Sequence, residues 1–226
     1  MTTNVGIFLL TEQDRLQSLP NIKSRLISKF EAEPLGNWSL DHILFRSVEQ
    51  NETTPPRFQH ILRLGHRPRE AFVAVNQPRN KKDASDTKDP VITIPSSQLG
   101  SFTNLLIDRF VSLWTPRVSL RVTGGLAYRA GDFVVRIGEL RQTGGQQPLR
   151  GVVCSIETKT TSAFGSNGPN QDGKVDEAEK MVLSEVWRRI GENGAKEDFT
   201  AYATEEAIEA GFDEARLWCQ ILQLRA

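Results

Sequence analysis

Glu157 and Lys159 stand two positions apart in a stretch that reads as a strand, so alternation puts a carboxylate and an ammonium on one face. Such a pair suits phosphate chemistry, in which carboxylates hold a divalent cation and lysine holds phosphate oxygens. A second carboxylate two residues earlier would be needed to share the metal, and Ser155 stands there instead. The three histidines, His42, His60 and His66, could in principle meet in space. His42 and His60 fall on strand faces beside Leu and Ile, where a hydrogen-bonded core imidazole is expected rather than a metal ligand. No glycine-rich phosphate loop, nucleophile elbow, paired-histidine helix or Cys-x-x-Cys spacing accompanies them. These residues argue against catalysis, and neither a metal nor a cofactor is expected.

Glu157-Thr158-Lys159 is half of the E-x-E-x-K signature of tunnel-type triphosphatases, whose barrels hold metal and polyphosphate inside. If Cys154 and Ile156 fill such a barrel, alternation turns Glu157 and Lys159 toward solvent. The strands around Val118, Leu120 and Val122 and around Phe133, Val135 and Ile137 supply a matching apolar face. A tunnel so lined cannot hold a triphosphate. A surface pair is the expected reading, and a triphosphatase-like phosphohydrolase barrel is the alternative.

The overall charge is balanced, with 28 basic and 28 acidic side chains, which argues against a dedicated nucleic-acid binder. The charge is unevenly spread. Seven basic residues between Arg57 and Lys82 face Glu70 alone, whereas Asp172–Ala226 carries 13 acidic against 7 basic residues. An acidic protein partner suits the basic stretch better than RNA, because few aromatic residues interleave it. Cys154 and Cys219 are too few for a disulfide framework and suggest an intracellular chain with reduced thiols. No apolar run approaches the roughly 18 residues of a membrane span, and the first residues lack the pattern of a secretion signal.

Strands are expected around Gly6–Leu10, Trp38–Arg46, Phe58–Leu64, Ala71–Val75, Val91–Ile94, Val118–Thr123, Phe133–Ile137 and Val152–Ile156. Gly124-Gly125 and Gly144-Gly145 supply permissive backbone between the later strands. Helices are expected from about Asn21, along the stripe Leu99, Phe102, Leu106, Phe110 and Leu113, over Val175–Ile190, and over about 204–224. Polar loops over 76–90 and 162–174 break the pattern. Strands without strict βαβ alternation imply an α+β fold, a mostly antiparallel β-barrel with flanking α-helices, as one domain over residues 1–226. Large side chains with no polar face to hide behind are candidates for partner contact: Trp38 and Ile43 on their strand, and Phe212, Trp218 and Leu222 on the last helix.

The segment Arg117–Glu157 resembles the family core of subunit 20 of the Mediator complex, the RNA polymerase II coactivator. The family pattern falls on Gly125, Tyr128, Asp132, Phe133, Val134, Val135, Arg136, Ile137 and Gly138, then Arg150, Gly151, Val152 and Glu157. Phe72–Val75 and the strand and helix over Val91–Phe110 match the family's order of elements. The motif is one of packing, in which Tyr128, Asp132, Phe133, Gly138 and Gly151 are structural. The resemblance implies a helix-flanked β-barrel in the nucleus. It further implies a non-catalytic scaffold of the Mediator head module that assembles with subunit 18, attaches through subunit 8, and couples regulators to RNA polymerase II without touching nucleic acid.

Overall fold

A computed structural model describes residues 2–11, 18–48, 55–76, 89–160, 175–203 and 207–223. β-branched and aromatic residues in alternation build β1 (Thr2–Leu10), β2 (Glu33–Ser47), β3 (Phe58–Leu64), β4 (Glu70–Asn76) and β5 (Val91–Pro95). Further along lie β6 (Trp114–Ala130), β7 (Phe133–Gln142), β8 (Leu149–Thr160) and β9 (Lys196–Ala203). Apolar stripes at helical spacing give α1 (Ser18–Phe30), α2 (Leu99–Asp108), α3 (Glu177–Ile190) and α4 (Ala207–Leu222). Apart from their end residues, the two expected polar loops lie outside the described residues.

The nine strands form one sheet in the order β5-β4-β3-β2-β6-β7-β8-β1-β9, and every pairing is antiparallel. Laid flat, strands about 4.8 Å apart would separate the two edges by about 38 Å. Yet α4, a helix about 10–12 Å across, packs against β9 and β1 at one edge and against β3, β4 and β5 at the other. The sheet must therefore curl around α4. The α+β class and antiparallel sheet are as expected. The barrel is a half-barrel, completed by a helix where strand pairing was expected.

Each face of the sheet buries apolar side chains over part of its area, which is why its strands read without a clean polar side. On the concave face Ile7, Leu9, Leu40, Leu62, Phe72, Leu120 and Val153 pack with Ala215, Trp218 and Leu222 of α4. On the convex face Phe8, Ile137, Cys154 and Ile156 meet Ile22 and Leu26 of α1 and Leu183 and Trp187 of α3. Phe8 stacks on Trp187 with ring centres 4.8 Å apart. Arg25 and Lys29 of α1 donate to the Gly191 and Arg189 carbonyls at the end of α3 (2.7 and 3.0 Å), capping it. At the other end of the convex face, α2 covers Phe45 and Ile61.

Three expectations need correction. Gly124-Gly125 is not a turn. It lies inside β6, where the register to β7 shifts between Val122 and Leu126. The extra residue inverts the alternation, so Leu120 and Val122 face α4 while Tyr128 and Ala130 face the convex helices. The apolar faces expected to line one interior are thus split between the two sides, and Val135, Ile137, Val152, Cys154 and Ile156 are convex. Phe133, at the start of β7, is only partly buried, whereas Ile137 is 1% exposed. Phe133→Ala is therefore expected to cost less than the roughly 3–5 kcal/mol of a fully buried phenylalanine, and Ile137→Ala about 2–5 kcal/mol. Thermal melts should show the larger drop for Ile137→Ala.

The third correction concerns α2, which stops at Asp108 rather than running to Leu113. The amides of Arg109 and Phe110 both bond the Leu105 carbonyl, at 3.0 and 3.2 Å, and close the helix. Trp114 is then drawn into β6 opposite Ser47. Phe110 and Leu113 are left 39% and 52% exposed.

Candidate functional site

The curl brings charged residues from four elements together under α4. Alternation in β8 puts Val153, Ser155 and Glu157 on the concave face, with Glu157 opposite Val5 of β1. Glu157 therefore points toward α4's side of the sheet, contrary to the solvent-facing position expected for it, because Cys154 and Ile156 belong to the convex core. Its carboxylate accepts from Arg136 Nη1 of β7 at 2.8 Å, with both side chains largely buried. The side chain of Lys159 lies outside what is described. The half-signature for phosphate chemistry thus becomes an internal ion pair.

A second carboxylate faces the same space. Glu214 of α4 is 2% exposed and is met by the turn between β3 and β4, with His66 Nε2 at 2.9 Å and Arg67 Nε at 3.2 Å. Trp38 Nε1 lies 3.3 Å from His66 Nδ1. An indole nitrogen only donates, so Nδ1 accepts and the imidazole proton sits on Nε2, directed at Glu214. Burial pushes the Glu214 carboxyl up, but His66, Arg67 and Arg136 outweigh it and hold it well down, at about 2. The ionised carboxylate ties α4 to the sheet.

The histidines divide between two places. His42 and His60, paired across β2 and β3, are fully buried, with His42 Nε2 3.0 Å from His60 Nδ1. The outer nitrogens, His42 Nδ1 and His60 Nε2, have no hydrogen-bond partner among the described residues. Burial, joined by the neighbouring His60, lowers His42 well below an ordinary imidazole, and burial lowers His60 to about 4. Both rings are neutral near pH 7. Among the described residues no group of three or more His, Cys, Asp or Glu is placed to hold a metal ion.

The candidate partner-contact residues turn mostly inward. Trp38, Trp218 and Leu222 are 3%, 0% and 0% exposed, and the two indoles lie 5.8 Å apart in the concave core. Phe212 is partly buried against the same cluster, and Ile43 against the cluster under α2. The reason is the curl, since a helix enclosed by the sheet spends its apolar stripe on its own chain. The family-motif residues lie along β6, β7 and β8 and the turn between β6 and β7. Tyr128 is buried in the convex core, Asp132 is exposed at the β6–β7 turn, and Phe133 packs at the margin. A Cβ at Gly138 would fall on Val122 Cγ1, and one at Gly151 on the Leu10 carbonyl. Glycine there lets neighbouring strands approach.

A family model described as the TATA-binding related factor (TRF) of subunit 20 of the Mediator complex matches residues 1–222. The chain belongs to that family. As a member of the Mediator subunit 20 family it is a subunit of a transcription complex, with a nuclear location and other Mediator subunits for partners. No curated protein matches it. Among solved structures, PH1819 from Pyrococcus horikoshii OT3 is similar at 14% identity over 87% of this chain and 93% of that one, with a TM-score of 0.43. HpAC1 from Hippeastrum, described as having a dominant triphosphatase activity, is similar at 10% identity over 93% and 96%, with a TM-score of 0.37. Likenesses that weak carry no weight for fold or function.

For a Mediator subunit, surface matters more than cavity, and the outward apolar side chains concentrate in one place. Leu105, Ile107, Phe110, Val111 and Leu113 are 39–60% exposed over the end of α2 and the turn after it. Val48 joins them at 43% exposed, its amide bonded to the Leu113 carbonyl at 2.9 Å. The sequence hid this patch by making Phe110 and Leu113 look like the continuation of a buried stripe. Glu214 and Arg67 gave no sequence signal beyond a carboxylate four residues before Trp218, on the inward side of α4.

Proposed function

We propose that this chain is a non-catalytic scaffold of the Mediator head module, which assembles with Mediator subunit 18 and attaches through subunit 8. In that position it couples regulators to RNA polymerase II indirectly, with no cofactor. The observation that carries the reading is α4. Its Trp218 and Leu222 occupy the concave face where a tunnel-type enzyme would hold its substrate, and Glu157 is already paired with Arg136. The exposed apolar side chains around α2 support it from the outside, since lasting interfaces are more apolar than ordinary surface.

Co-expression with Mediator subunit 18, then size-exclusion chromatography and thermal melts, tests the assignment. The two chains should co-elute, and the melt should rise with partner concentration, because a ligand of the native state stabilises it by mass action. A monomer that neither co-elutes nor shifts its melt would sink the partner assignment. The alternative, a triphosphatase-like phosphohydrolase, draws on the inward position of Glu157. Triphosphate hydrolysis with Mg²⁺ or Mn²⁺ that disappears in Glu157→Ala would establish it and overturn the scaffold reading.

A further inference from the structure

The apolar end of α2 has a mainly basic surround, in which Asp108 is an exposed acid. Arg109 stands between Asp108 and Phe110 and is exposed. Arg57 is exposed as well and is joined to Ser47, the neighbour of Val48, through two backbone contacts: its amide donates to Ser47 Oγ at 2.8 Å and its carbonyl accepts from the Ser47 amide at 2.9 Å. Arg46 and Arg117 lie on β2 and β6 close to the pairing of Ser47 with Trp114. Among the described residues none of these four arginines has an ion pair, and the only acidic side chain in residues 105–117 is Asp108. Guanidinium groups with no ion pair among the described residues, beside exposed Leu, Ile, Phe and Val, make a surface that water solvates poorly at its centre and an anion completes at its rim.

We infer that the end of α2, with Val48 beside it, is a docking surface for an acidic amphipathic protein segment, one face apolar and its flanks carrying Asp and Glu. Charge complementarity selects this occupant. A second copy of the chain would bring arginine against arginine. A nucleic acid would satisfy the arginines but would leave Val111 and Leu113, the two most exposed of the apolar set, without a counterpart. The inference rests on the scaffold reading in one respect, that this chain works by binding proteins.

The probe is a fluorescein-labelled synthetic helix of about 16 residues, with Leu and Phe at i, i+3, i+4 and i+7 spacing and Glu on both flanks. Anisotropy is followed with the full-length chain against the acidic helix, the same helix with Lys for every Glu, and a single-stranded oligonucleotide. The acidic helix should bind at least about tenfold more tightly than the Lys version and weaken as salt rises. Val111→Asp with Leu113→Asp should abolish its binding, and Arg57→Glu with Arg109→Glu should weaken it about tenfold or more, while the circular dichroism of each variant stays that of the parent. Equal binding of both helices, binding unchanged in the Asp variant, or preference for the oligonucleotide would each overturn the inference. If the acidic helix fails to bind while subunit 18 still co-elutes, only this surface is wrong. If the helix binds and subunit 18 does not, only the partner assignment is.

Discussion

Trp218→Ala is expected to lower stability by about 3–5 kcal/mol, the range for deleting a fully buried large aromatic. Set against total stabilities of roughly 5–15 kcal/mol for domains of this kind, that is a large share. The position explains why. Trp218 is 0% exposed, packs against Trp38 of β2, and sits on the helix that touches both edges of the curled sheet. Removing it opens a cavity at the point where the half-barrel is closed. Further bonds hold the same helix, with Lys196 of β9 donating to the Gln220 carbonyl at 2.9 Å and Asn76 of β4 to Gln223 at 2.9 Å. Trp218→Phe should cost much less. It leaves a smaller void, and it removes an indole N–H that has no partner among the described residues. Urea denaturation followed by far-ultraviolet circular dichroism gives both numbers. A Trp218→Ala protein as stable as the parent, or a phenylalanine variant as damaged as the alanine one, would mean that α4 does not plug the sheet.

Most elements were legible in the sequence because alternation and helical spacing are local. β3, β4, β7 and three of the four helices fall within a few residues of where the patterns place them. β9 was missed. Its Lys196, Glu197 and Asp198 offer no apolar alternation to signal a strand, although charge is what an edge strand carries to resist pairing with another chain. The direction of each strand face was the harder part. One extra residue at the bulge in β6 reverses every side chain after it, and no local pattern announces that a pair of glycines bends a strand instead of ending it. Both errors about the concave face, the outward Glu157 and the shared lining, follow from that single residue and from assuming that the apolar alternation in β8 faces inward. The charged cluster was invisible for a related reason. Trp38, His66, Arg136 and Glu214 are far apart in sequence and meet because α4 returns from the end of the chain to lie under strands formed long before it.

The histidine pair should make the fold lose stability in mild acid. Both rings have folded-state affinities for protons below the ordinary value of 6.5, His60 at about 4 and His42 well below 6.5. The unfolded chain therefore binds more protons than the folded one once the pH drops under about 6.5, and stability falls from there toward 4. At pH 5 His60, held at about 4, contributes about 2 kcal/mol less than at pH 7.5, and His42, lowered in the same direction, adds to the loss. His66, the one other histidine in the chain, is unchanged in the variant that tests this. The variant His42→Leu with His60→Leu removes both titrations together with the two ring nitrogens that lack partners, and it puts apolar side chains between Leu40, Leu44 and Leu62. Urea midpoints measured from pH 7.5 to 5 should fall steeply for the parent and stay nearly level for the double variant. Equal slopes in the two proteins would show that the rings already reach solvent, and that the pairing of β2 with β3 is looser around them than the 3.0 Å contact between their nitrogens implies.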